Sequence, residues 1–109
     1  MDIWIDKNSY GIQAVLSLKL DLLPATAYIV NEKEHKSLNF SLLVYPDEVI
    51  VYIYDIKKLK LNYFYNFLIK RKIRERKKIR DTVKLIRQLI LEDKIEALRT
   101  LFDNITITY

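Results

Sequence analysis

Leu38-Asn39-Phe40-Ser41-Leu42-Leu43-Val44-Tyr45-Pro46-Asp47-Glu48-Val49-Ile50-Val51-Tyr52-Ile53-Tyr54-Asp55-Ile56 is the stretch on which the fold turns. Two apolar runs rich in β-branched and aromatic residues flank a short polar break, the pattern of paired strands. In the break, Pro46 presets φ for a turn and Asp47 can bond its own backbone. Residues 38–45 and 49–56 therefore read as a β-hairpin. A three-residue loop pairs Val44 with Ile50, Leu42 with Tyr52, Phe40 with Tyr54 and Leu38 with Ile56, which puts eight apolar side chains on one face. The opposite face, with Leu43, Tyr45, Val49, Val51 and Ile53, is apolar enough to predict an interior pair covered on both sides.

Upstream of the hairpin the chain also reads as strands. Ile3-Trp4-Ile5 is a short one. Leu16, Leu18, Leu20 and Leu22 alternate with Ser17, Lys19 and Asp21, the period-two pattern of a half-buried strand, although Leu and Ala would also allow a short helix over residues 12–23. Thr26-Ala27-Tyr28-Ile29-Val30 predicts a further strand, closed by a polar loop at residues 31–37 that carries His35.

Downstream the period changes. Leu61, Tyr65, Leu68, Ile79, Val83, Ile86 and Ile90 fall on one stripe of a continuous helix from about residue 58 to 91, with Lys72 and Glu75 or Arg76 interrupting it. Such a helix would be roughly 50 Å long. It must protrude, pair with a second copy or bend near Asp81-Thr82, the one plausible internal N-cap. A shorter helix follows, with Ile95, Leu98, Leu101 and Phe102 at helical spacing and Asp93 as its cap, and Ile105-Thr106-Ile107-Thr108-Tyr109 reads as an edge strand. Strands first and helices after predict an α+β fold: an antiparallel β-meander of about four strands, a long basic helix and a shorter C-terminal helix. One domain is expected over residues 1–109, mainly β through 56, mainly α over 57–104, with a closing strand at 105–109.

Composition narrows the chemistry. The chain has 109 residues, half of them hydrophobic, enough for a core without staples. It has no cysteine, which excludes disulfides, zinc-thiolate sites and thiol nucleophiles. The start lacks a basic region leading into an apolar stretch, and no run of about 18 apolar residues occurs, so a cytoplasmic protein without membrane contact is expected. The Ile, Lys, Leu and Tyr bias is that of an AT-rich genome, such as a thermophile or one of its viruses. A single glycine, Gly11, leaves no glycine-rich phosphate loop, and His35 alone cannot build a histidine metal site. No cofactor is expected. Pro46-Asp47 followed by Asp55-Ile56-Lys57 resembles the PD-(D/E)xK nuclease signature, which would imply a divalent metal held by two carboxylates. A strand between Asp47 and Asp55 would hold them roughly 26 Å apart, so Asp47 is assigned to the turn instead.

Charge carries the functional signal. Residues 1–56 sum to −4 and residues 81–109 to −1, whereas residues 57–80 hold eleven Lys plus Arg against Glu75 alone, +10. The densest part supplies the candidate site: Lys70, Arg71, Lys72, Arg74, Arg76, Lys77, Lys78 and Arg80. On a continuous helix Arg71, Arg74 and Lys78 project together, Lys70 and Lys77 flank them, and Lys72 and Arg76 reach the other side. Glu75 could pair with Arg71, Lys72 or Lys78, but one carboxylate cannot neutralise eight cations. Phosphate backbones are the expected partner, so the sequence predicts a non-enzymatic DNA- or RNA-binding protein that holds phosphates rather than reading bases. The alternative is a small regulator or inhibitor, encoded by a virus or mobile element, docking on an acidic protein surface; a metal-dependent nuclease comes third. Tyr63, Phe64, Tyr65 and Phe67 precede the run, with Tyr65 expected in the core. A homodimer is expected because Ile79, Val83, Ile86 and Ile90 on a protruding helix would need a partner surface.

Overall fold

The computed structural model describes residues 1–8, 11–21 and 33–109. They form two compact units, one from residues 1–56 with 104–109, the other from residues 57–103.

The first unit is a six-stranded sheet. Its strands are β1 (Asp2–Asn8), β2 (Gly11–Lys19), β3 (Lys33–Lys36), β4 (Phe40–Val44), β5 (Glu48–Ile53) and β6 (Asn104–Thr108), in the order β3-β4-β5-β2-β1-β6. The α+β class is as expected, but the sheet is mixed. Every neighbouring pair is antiparallel except β1 and β6, where Ile3 lies opposite Ile105 and Ile5 opposite Ile107. The physical reason is connection length: β6 is reached only after residues 57–103, and parallel pairing requires such a long crossover. The meander is also incomplete, because β5 returns to lie beside β2.

Period two decides β2. Ile12, Ala14, Leu16 and Leu18 are buried while Gln13 and Lys19 are exposed, so the strand reading holds over Gly11–Lys19 and the helix does not form there. Leu20 and Asp21 lie past its end; Leu22 and the strand expected at 26–30 fall outside the described residues. The polar loop expected at 31–37 is corrected in its described part. Lys33–Lys36 is β3, paired with β4 so that His35 lies opposite Leu42. Among the described residues it stands at the edge of the sheet, a position where charged side chains are favoured, and that polarity reads as a loop.

The hairpin register differs from the expectation by one residue. Val44 pairs with Val49, Leu42 with Val51 and Phe40 with Ile53, and the Tyr45 N–H donates to the Glu48 carbonyl at 2.8 Å across a two-residue turn, Pro46-Asp47. Odd-numbered residues of β5 therefore share the buried face with Phe40 and Leu42, while Ile50 and Tyr52 lie on the less buried face and Leu38 is exposed. Compact β-branched Val49, Val51 and Ile53 fill the core, and the tyrosine hydroxyl of Tyr52 stays nearer water.

The second unit holds α1 (Leu61–Lys70), α2 (Arg76–Leu91) and α3 (Leu98–Leu101), with a 3-10 turn at Ile95–Ala97; another, Ile56–Lys58, starts on the last residue of the first unit's long segment. The single long helix does not exist. It is cut at residues 71–75, not at Asp81-Thr82, which lie inside α2 with Thr82 buried. The cut is a Schellman cap: the Ile73 N–H donates to the Leu68 carbonyl and the Lys72 N–H to the Ile69 carbonyl, both at 3.0 Å, with Lys72 left-handed at φ 54°. Ile73 and Leu68, the pair that such a cap brings into apolar contact, are both buried.

Breaking the helix also frees its two halves from a common phase. On α2 the stripe is as the spacing predicts, with Ile79, Val83, Ile86 and Ile90 buried. On α1 the buried residues are Phe64, Phe67 and Leu68, whereas Tyr65 is half-buried and Tyr63 is 55% exposed. Since the α2 stripe is buried within one chain, the reason for expecting a second copy there is gone. Asp93 is likewise corrected: at φ 58° it closes α2 with a second Schellman cap, its N–H bonded to the Ile90 carbonyl and that of Lys94 to the Leu89 carbonyl. It does not cap the next helix, which is short, with Leu101 exposed. Among the described residues no helix is long and apolar enough to cross a membrane.

Candidate nucleic-acid interface

The cut turns the basic run into a corner. Lys70 ends α1, Arg71 is its C-cap, Lys72 and Arg74 lie in the connection, Arg76, Lys77 and Lys78 begin α2, and Arg80 follows one turn on. The grouping of Arg71, Arg74 and Lys78 on one helical face does not apply, because two left-handed residues, Lys72 and Glu75, separate the helices.

Within the corner the arginines are held and the lysines are not. The Arg71 guanidinium lies 3.6 Å from the Phe67 ring centre, and that of Arg80 lies 4.4 Å from the Tyr65 ring centre. Arg80 also donates from Nε and Nη2 to Asp81 Oδ1, at 3.0 and 2.8 Å. Arg76 Nη1 donates weakly to the Ile73 carbonyl at 3.4 Å, and Arg74 is half-buried. By contrast Lys70, Lys72, Lys77 and Lys78 are exposed, and none forms an ion pair among the described residues. Glu75 is exposed and pairs with none of Arg71, Lys72 or Lys78.

The start of α2 is electrostatically inverted. A helix N-terminus carries a partial positive charge and favours acidic side chains in its first turn. Here that turn holds Arg76, Lys77 and Lys78 with no acid, and Glu75 at the N-cap makes no capping bond through its side chain. The first backbone N–H to find an intrahelical carbonyl is that of Ile79, bonded to Glu75. The three N–H groups before it lie at a positive helix end, amid three positive side chains.

Beyond the corner lie residues that the sequence reading did not single out. Lys84 and Arg87 continue from Arg80 along one side of α2, and they share cavities with Leu61, Asn62, Tyr65 and Asn66 of α1. The i, i+4, i+7 spacing of Arg80, Lys84 and Arg87 was a legible signal, masked by the denser charge before it. Arg87 Nε is buried and has no hydrogen-bond partner among the described residues.

The nuclease-like motif does not assemble. Asp47 sits in the β4–β5 turn and Asp55 beyond the far end of β5, whose six residues span about 20 Å. Among the described residues no group of three or more His, Cys, Asp or Glu could hold a metal ion. Comparison of the chain with known protein families, curated proteins and solved structures finds no match.

Proposed function

We propose that this is a non-enzymatic nucleic-acid-binding protein that grips the phosphate backbone with the α1–α2 corner. The observation that carries this reading is the first turn of α2: Arg76, Lys77 and Lys78 stand at the positive end of a helix, with no acid in that turn. Such an arrangement lowers helix stability by about 0.3–1 kcal/mol per cation. It becomes favourable when an anion arrives, because backbone N–H groups, the helix dipole and the side chains then all act on the same charge. Exposed lysines with no ion pair among the described residues supply the point charges that release counterions from a phosphate chain.

An electrophoretic shift series with labelled oligonucleotides tests the reading. Retarded complexes at low salt that dissolve as salt rises are expected, and they should weaken strongly in the Lys77→Glu/Lys78→Glu variant. Absence of any complex at low salt would overturn it.

A further inference from the structure

Three cavities of about 520, 490 and 330 Å³ open along the α1–α2 pair and share walls, Leu61 lining all three. Each has the volume of a small-ligand site, and they adjoin as one groove, since any two of them share two lining residues from among Leu61, Asn62, Lys84 and Arg87. We propose that this groove is the track for a single-stranded nucleic acid. The inference rests on the nucleic-acid reading above and names its substrate, an unpaired strand rather than a duplex.

The groove offers three kinds of contact at once. Arg80, Lys84 and Arg87 line it from α2, each about one turn from the next, and so present positive charge to successive phosphates. Asn62 and Asn66, one turn apart on α1, bring amides that donate and accept, the chemistry required by a base edge not already paired. Stacking surfaces complete the set. The Arg80 guanidinium is fixed over Tyr65 and by Asp81, and Tyr63, more than half exposed, lines the cavity shared with Arg87. A duplex keeps its base faces stacked and its pairing edges occupied, so it would use only the cations. A small inorganic anion would do the same. Amides, stacking surfaces and cations in one groove fit unpaired nucleotides best.

Fluorescence anisotropy on the full chain separates this inference from the reading beneath it. The probes are a labelled poly-dT or poly-U 20-mer and a duplex of equal length, at one salt concentration. The Tyr63→Ala/Asn66→Ala variant changes two exposed groove residues outside the corner and no cation, and circular dichroism confirms its fold. It should bind the single strand at least about tenfold more weakly while duplex affinity moves less than about twofold, since losing one stacked or bonded base is worth that much. The Lys77→Glu/Lys78→Glu variant should weaken both probes. Unchanged single-strand binding by the groove variant would overturn the inference alone, as would displacement of the strand by adenosine monophosphate at equal phosphate concentration. Failure of the wild-type chain to bind either probe would overturn both.

Discussion

Lys72, Glu75 and Asp93 adopt left-handed backbone conformations that glycine occupies without strain, and the chain's one glycine is elsewhere. Both long helices thus close on non-glycine Schellman caps, and the sequence carried no glycine to mark the cut between them. Replacing Lys72 with glycine relieves the strain at φ 54° and should raise unfolding stability by about 0.5–1 kcal/mol in a urea titration. Gly11 argues the reverse. Its φ is +148°, and a Cβ there would stand 2.8 Å from Asp55 Oδ2, so Gly11→Ala should cost about 1–3 kcal/mol in the same titration. A third residue-scale effect is pH-dependent. Ser17 Oγ donates to Glu48 Oε1 and Lys19 Nζ lies 3.2 Å from the same oxygen. The Ser17 hydroxyl foremost, with Lys19 and against partial burial, holds the Glu48 carboxyl below its ordinary 4.5. A carboxyl lowered by folding stabilises the native state above its unfolded value, and that contribution is lost as pH falls through the folded value. Thermal melts taken from neutral pH down past 4.5 should therefore show a steeper acid-side loss for the wild type than for Ser17→Ala.

At the scale of elements, periodicity revealed which segments are strands and helices, and it failed where phase depended on a turn. The hairpin was legible because both its strands carry apolar runs. Its register was not, since two- and three-residue loops around Pro46-Asp47 both leave an apolar face, and only packing chooses Val49, Val51 and Ile53 over Ile50 and Tyr52. The α2 stripe was legible from spacing alone, whereas projecting its phase back through residues 71–75 misplaced the core of α1 from Phe64 and Phe67 onto Leu61 and Tyr65. The candidate site followed the same pattern: its eight cations stood out by density, but their assembly as a corner required the cut. From that corner comes a prediction with two opposite signs. Lys77→Glu/Lys78→Glu places acids at the positive end of α2 and should raise stability by about 0.3–1 kcal/mol per substitution, read by thermal or urea unfolding. The same variant should bind oligonucleotides at least about tenfold more weakly, since it removes two phosphate contacts. A variant that is more stable and binds less is the mark of residues kept for binding. Lower stability with unchanged binding would assign them a structural role.

At the scale of the whole chain, charge divides along the same line as structure. The sheet unit sums to −4, and residues 57–103 hold fifteen Lys plus Arg against six acids, +9. This division was legible from composition alone. The parallel pairing of β1 with β6 was not, because nothing local in Asn104–Thr108 names its partner across such a long separation. An uneven charge distribution of this kind acts on partners rather than on the fold, focusing attraction for polyanions on the basic unit. The measurement that tests this most directly is the affinity for a labelled single-stranded oligonucleotide across a salt series, plotted as the logarithm of the association constant against that of salt. Four to eight phosphate contacts from the corner predict a straight line with a slope of about −3 to −6. A flat line, or no binding at the lowest salt, would contradict the account.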